Sequence, residues 1–191
     1  MTDSAAALAP ELIASVRKFA AEDPRNRMPG VPDMVIFDEP LVRFADGDDP
    51  LFTEYKRIID PIHLTPREAL LAAFPEADLP DRVSVVSWIL PITQPTRASN
   101  RTEKKLPSRW WSHTRWYGEI FNNAVREFVI EKLTGAGYLA TAPMIAPYFK
   151  MGSADNGPFS NWSERHIAYA AGQGTFSLSD QLEYKPFSFK W

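Results

Sequence analysis

The chain contains no cysteine. Disulfides, thiolate nucleophiles, cysteine-ligated zinc and cysteine-ligated iron–sulfur clusters are therefore excluded on this chain. Histidine is scarce as well. His63, His113 and His166 are the three present, and no HxH or HxxxH spacing joins them, so the spacing argues for no metal site. No run of about 18 apolar residues occurs, which predicts no membrane span and no membrane partner. The opening residues, MTDSAAALAPELIASVRKF, lack a basic start followed by an apolar block. They read as carrying no secretory signal, and the expected compartment is cytoplasmic. Charge of one sign is also missing: the formal net charge is -3, so bulk electrostatics predict no strong nucleic-acid binding. Internal repeats and low-complexity tracts are absent too.

What is present is apolar content of 45% over 191 residues, enough for one domain with a real core and not clearly enough for two. Aromatics reach 13% and there are 17 prolines, which predicts long loops packed by rings. Leu8, Leu12, Ile13, Val16 and Phe19 recur near helical spacing and predict a helix over 5–21, ended by Asp23-Pro24. Residues 24–50 are rich in Pro, Gly and Asp and read as an ordered loop with a short extended piece at Met34–Phe37. A second helix is expected over 50–59. A third begins at Thr65, an N-cap followed by Pro66 at the first helical position, and runs to about Phe74.

Residues 83–90, VSVVSWIL, form the best strand: β-branched, largely apolar and bounded by Pro80-Asp81 and Pro91. A polar loop, TQPTRASNRTEKKLPSR, leads into the longest helix, about 108–134. There Tyr117, Phe121, Ala124 and Phe128 make one buried stripe, and Gly135 and Gly137 supply the stop. A second strand is expected at 138–142, a loop over 145–160 and a short helix over 163–171. Strands and helices are mixed, so the class is α/β or α+β.

Three constellations carry candidate chemistry. Asp33, Asp38, Glu39, Asp46, Asp48 and Asp49 crowd one loop. Their spacing does not match an EF-hand, and a solvated loop with Asp46–Asp49 capping the next helix accounts for them. Arg97, Arg101, Lys104, Lys105, Arg109 and Arg115 lie close together with Trp110, Trp111 and Trp116. Rings stack and cations pair phosphate, so this stretch is an anion or nucleotide surface, or a solvated loop entering an amphipathic helix. In the third, Gly172-Gln173-Gly174 follows a helix that starts near Glu164-Arg165. Glycine reaches positive φ and removes the Cβ that would keep a ligand away. The same glycines also suit a plain helix C-cap. They are no dinucleotide fingerprint, because they follow a helix and do not open one.

These residues carry a family likeness. SNWSERHIAYAAGQGTFSLSD (160–180) resembles the "ER…AGLGxxG" segment of epoxyqueuosine reductase and its relatives. That family shares a cobalamin-binding domain with reductive dehalogenases, followed by a ferredoxin-like domain with two 4Fe–4S clusters. Four more stretches look like the uncharacterised epoxyqueuosine-reductase-like branch, in order: FDEPLVRFADGDDPLFTEYK (37–56), HLTPREAL (63–70), SWILPITQPTRASNR (87–101) and YGEIFNNAVREFVIEKLTGAGYLATAP (117–143). The likeness spans about 24–180, with an N-terminal helix at 1–23 before it and an atypical tail at 181–191.

The resemblance implies a nitroreductase-like α+β domain, a central sheet flanked by helices, over which base-off cobalamin lies. It implies that clusters pass electrons to cobalt and that low-valent cobalt reduces the substrate. Carried onto this sequence, Glu164, Arg165, Gly172, Gly174, Thr175, Phe176 and Ser177 become the cofactor-binding set. Asp155, in Asp155-Asn156-Gly157-Pro158, becomes the proton donor of a "DxxP" segment, although it lies a few residues farther from Glu164 than in the family. Two departures stand out. All cluster cysteines are missing, so 4Fe–4S clusters cannot sit here and a separate ferredoxin-type donor is the expected partner. Ser177 replaces the third glycine, and QLEYKPFSFKW no longer looks like the family, as in a truncated or frame-altered member. A cobalamin carrier without catalysis is an alternative expectation. So is a flavin protein of the same fold, with Arg97, Arg101 and Lys105 on its phosphate, and so is a degraded product that binds nothing.

Overall fold

The computed structural model describes residues 2–154, 157–177 and 182–184. The chain is mixed α+β and divides into two compact units. One comprises Met1–Leu41 and Leu90–Tyr138, the other Val42–Ile89 and Leu139–Trp191.

The first unit is helical. Helix α1 (Thr2–Glu22) packs on the long helix α5 (Arg109–Gly135). Leu12, Val16 and Ala20 of α1 are buried, as are Phe121, Val125 and Val129 of α5. Phe19 stacks on Phe128 with ring centroids 4.3 Å apart. The expected stripe on α5 is shifted: Phe121 and Ala124 are buried, whereas Tyr117 is exposed and Phe128 half-buried. The buried row runs through Thr114, Gly118, Phe121 and Val125, because α1 and the 24–37 loop press on that side. Between the helices the Pro-rich loop is ordered by a buried amide. Asn26 donates through Nδ2 to the carbonyls of Ala20 (2.9 Å) and Phe37 (3.1 Å) and accepts the Phe37 N–H at 2.9 Å. The 93–109 segment, expected as a loop, forms helix α4 (Gln94–Arg101). Its Pro95 lies in the first turn, where a missing N–H costs nothing.

The second unit gathers a core of Phe52, Tyr55, Ala69, Val85, Trp162 and Ile167. Its elements are strand β1 (Leu41–Asp46), helices α2 (Leu51–Ile58) and α3 (Pro66–Ala73), strand β2 (Ser84–Ile89), the hairpin β3 (Met151–Ala154) and β4 (Gly157–Ser160), helix α6 (Glu164–Ala170), and the pair β5 (Gly174–Phe176) and β6 (Leu182–Tyr184). Thr65 closes a full capping box with Glu68 at the start of α3. The second strand expected at 138–142 is not formed. Tyr138 and Leu139 are exposed, and the Tyr138 N–H instead returns to the Leu133 carbonyl at 3.0 Å to close α5. Strand structure appears in two places read as loop, at β1 and in the β3–β4 hairpin with Met151 opposite Ser160. The described strands pair two by two, β1 with β2, β3 with β4 and β5 with β6, so the expected central sheet is not seen among the described residues. No helix among them is long and apolar enough to cross a membrane.

Four side chains of the acidic stretch are taken up by the structure. Asp46 and Asp49 accept the N–H groups of Asp48 (3.1 Å) and Leu51 (2.9 Å), Asp48 is paired with Arg67, and Glu39 with Arg17 at 3.1 Å. Asn26→Ala is expected to lower stability by about 2–3 kcal/mol, since the buried Ala20 carbonyl and the half-buried N–H and C=O of Phe37 lose their partner. Urea unfolding followed by tryptophan fluorescence checks this, and a loss near zero would contradict the role.

Candidate functional site

The chemistry-bearing side chains of the second unit meet around α2 and α6. Tyr55, three residues after Phe52 on α2, is buried with it. Its hydroxyl donates to the main-chain carbonyl of His166 at 2.7 Å. Burial holds that hydroxyl well above its ordinary pKa, so it stays a donor. Lys56, the next residue, bonds the His63 carbonyl at 2.7 Å and pairs with Glu68 at 2.8 Å. Burial pushes the Glu68 carboxyl up, but Lys56 and the Thr65 N–H outweigh it and hold the group below its ordinary value.

His63 and His166, far apart in sequence, both pack against Tyr55, with ring centroids 5.7 and 5.1 Å away. His63 is fully buried and stacks on Trp162 at 6.0 Å. Its Nε2 accepts the Ser163 N–H at 3.1 Å, which places the ring proton on Nδ1, a buried atom with no hydrogen-bond partner among the described residues. Burial first, then the charges of His166 and Lys56, push its pKa down to about 4. His63 is therefore a neutral positioning residue at physiological pH. On α6 the Ser163 hydroxyl and His166 Nδ1 share a hydrogen bond of 2.8 Å. The His166 ring also meets Phe176 at 4.7 Å, and Phe176 meets Tyr169 at 5.6 Å.

The glycine turn after α6 has a definite anchor. The Gly172 N–H returns to the Tyr169 carbonyl and the Gln173 N–H to Ala168, each at 2.9 Å. Together they make the double closure that puts a left-handed residue after a helix. Gly172 is that residue, with φ +69°, and a Cβ there would meet nothing within 4 Å. The side chain of Gln173 is buried and bound to β2: the Ser87 hydroxyl donates to its Oε1 at 2.7 Å, and its Nε2 donates to the Ser87 carbonyl at 3.4 Å. The turn is thus a helix C-cap pinned to a strand, with open space beside Gly172.

The structure brings most of the predicted set into one helix–turn–strand piece. Glu164 and Arg165 are exposed in the first turn of α6, Gly172 is exposed at the turn, and Gly174, Thr175 and Phe176 form β5. Thr175 is exposed; Gly174, Phe176 and Ser177 are half-buried. Asp155 lies outside the described residues. Tyr55, His63, His166 and Gln173 were missed, although HLTPREAL and SERHIAYAAGQG, the segments that hold three of them, were singled out. Among the described residues no group of three His, Asp or Glu is placed to hold a metal ion. A shallow depression of about 520 Å³ beside the end of α5, lined by Glu127, Ile130, Glu131, Thr134 and Gly135, contains none of these side chains. No protein-family model, curated protein or solved structure matches the chain.

The unfolded chain binds the His63 proton near pH 6.5, whereas the folded chain holds it off to about 4. The resulting stability is therefore full above about pH 6.5 and is lost as pH falls toward 4, by no more than about 3 kcal/mol. His63→Gln, which retains an acceptor but does not titrate, is expected to flatten this slope in urea unfolding at a series of pH values. An unchanged slope would assign it to other groups. Gly172→Ala is expected to cost about 1–2 kcal/mol through left-handed strain alone, read as a lowered Tm.

Proposed function

We propose that this chain is the corrinoid-binding part of a cobalamin-dependent reductase similar to epoxyqueuosine reductase, holding the cofactor along α6, Gly172 and β5. The observation that carries the reading is the folding of Glu164–Phe176 as one piece with a bare wall. Open space lies beside Gly172, the Tyr169 ring is 41% exposed, and Phe176 packs beside it. A flat macrocycle fits such a wall, because its face needs apolar rings and its edge a backbone without side chains in the way.

Cobalamin, when bound, supplies the low-valent cobalt that reduces the substrate. The chain's own residues bind and orient it. Tyr169 and Phe176 offer apolar contact, and the exposed Thr175 hydroxyl offers a hydrogen bond to the amide-bearing rim. The Gln173–Ser87 pair keeps the turn from moving. Asp155 is assigned proton delivery from the family likeness. A nitroreductase-like arrangement belongs to the same reading and requires strand pairing beyond the three two-stranded ladders. Electrons come from a separate ferredoxin-type donor, since no cysteine is present to hold a cluster. That same absence favours the second reading, cobalamin binding without turnover.

Titration of the full chain with hydroxocobalamin and cob(II)alamin, followed by absorption and electron paramagnetic resonance spectra, tests this. Saturable binding with a base-off spectrum is expected, weakened at least about tenfold in Tyr169→Ala and Gly174→Val and unchanged in Asp155→Asn. Absence of binding at high cofactor concentration would sink the reading. Substrate reduction when a ferredoxin or flavoprotein donor is added separates the reductase from the carrier.

A further inference from the structure

The α4–α5 region carries a surface that cobalamin binding does not use. Arg97 and Arg101 lie one turn apart on α4, both exposed, while Thr96 on the same helix is fully buried. Lys104 and Lys105 follow, and Arg109 and Arg115 stand on the first turns of α5, all four exposed. Among the described residues none of these six cations has an ion-pair partner. Glu103 and Glu119 are the carboxylates between positions 97 and 120, and Glu119 is paired with Arg126. A chain with an overall charge of -3 thus gathers a strong local positive excess.

Large apolar groups stand bare among the cations. Leu106 is 76% exposed, Trp116 73% and Ile120 48%. Arg109, Trp116 and Ile120 recur at i, i+7 and i+11, one stripe on α5 opposite the row of Gly118 and Val125. The surface is firmly held. Asn100 Oδ1 accepts the Ser108 N–H at 3.0 Å, the Ser99 and Ser108 hydroxyls share a bond of 2.8 Å, and Ser108 caps α5 through the Trp111 N–H at 3.1 Å.

We infer that this face is a peripheral docking surface for an anionic lipid bilayer. Lysine and arginine pair with headgroup phosphate, tryptophan settles at the headgroup level, and leucine and isoleucine gain by entering the acyl boundary. The chain lies on the membrane and does not span it. A single-stranded nucleic acid shares the need for cations and rings, but Leu106 and Ile120 give a base nothing to stack on, and the stripe is a convex helix face where a strand needs a groove.

Co-sedimentation of the full chain with phosphatidylglycerol–phosphatidylcholine vesicles tests the inference, with pure phosphatidylcholine vesicles and a single-stranded oligonucleotide as competing arms. The expected result is binding to anionic vesicles alone, weakened by salt and accompanied by a blue shift of tryptophan emission. The combined variant Arg97→Gln, Arg101→Gln, Lys104→Gln and Lys105→Gln should lose about a thousandfold in affinity. Trp116→Ala should lose the blue shift and bind more weakly. All five positions are exposed, and circular dichroism verifies that each variant is folded. Gly174→Val should bind vesicles as the parent does, which keeps this outcome separate from the cobalamin reading. No binding, equal binding to neutral vesicles, or tighter binding to the oligonucleotide at the same salt would overturn the inference.

Discussion

The structure depends on side-chain amides that hydrogen-bond main-chain groups which no helix or sheet satisfies. With 17 prolines and only two-stranded ladders among the described residues, long stretches of backbone have no regular partner, and a buried N–H or C=O left unpaired is costly. Asn161 answers for this in the second unit. Its side chain accepts the Lys150 N–H and donates to the Tyr148 carbonyl, both at 2.9 Å, while its carbonyl takes the Leu64 N–H at 2.9 Å. It thereby joins the 145–150 turn, the start of α3 and the end of β4. Asn26 plays the same part in the first unit, and Gln173 at the end of α6. Asn26 and Asn161 each fix several loop groups at once, and Gln173 ties the turn after α6 to one residue of strand β2.

Elements with strong local signals were legible in the sequence. The Thr65-Pro66 start of α3, the β-branched run of β2 and the long helix α5 each rest on chemistry within a few residues, and each formed close to where it was expected. The misses differ in cause. Residues 41–46 sit among Pro, Gly and Asp and pair with β2, beyond two helices, so local composition carries no sign of their extended shape, whereas 151–160 is a local hairpin whose Asn156-Gly157 signal was passed over in favour of a loop. Tyr138–Ala142 has an apolar look, with Thr141 its one β-branched residue, and pairs with no strand among the described residues. Helix α4 was hidden by its polarity, since it is held by Ser99, Asn100 and the buried Thr96 and not by an apolar stripe.

The candidate site was legible in part. The run from Glu164 to Gly174 was readable as helix and turn, with the glycines weighed as a helix cap, while the strand Gly174–Phe176 was not anticipated. Nor was the role of the Gln between the glycines, because its burial depends on Ser87, 86 positions away. His63 and His166 were dismissed on spacing, a criterion that suits metal ligands and says nothing of rings brought together by packing. Their shared neighbour Tyr55 belongs to another helix, so no local pattern links the three.

These arrangements divide the labour within the second unit. The buried side of α6 is occupied by groups held in one protonation state, a neutral His63 and a hydroxyl on Tyr55 that does not ionise, whose work is to fix position. The exposed side, from Tyr169 through Gly172 to Thr175, has little side chain to rearrange and is set by what lies beneath it. A wall of this kind contributes shape and contact, and no cysteine is present to hold an iron–sulfur cluster beside it. On the proposed reading, what the fold of α6 and β5 determines is therefore the binding of a cofactor and not the rate of a reaction.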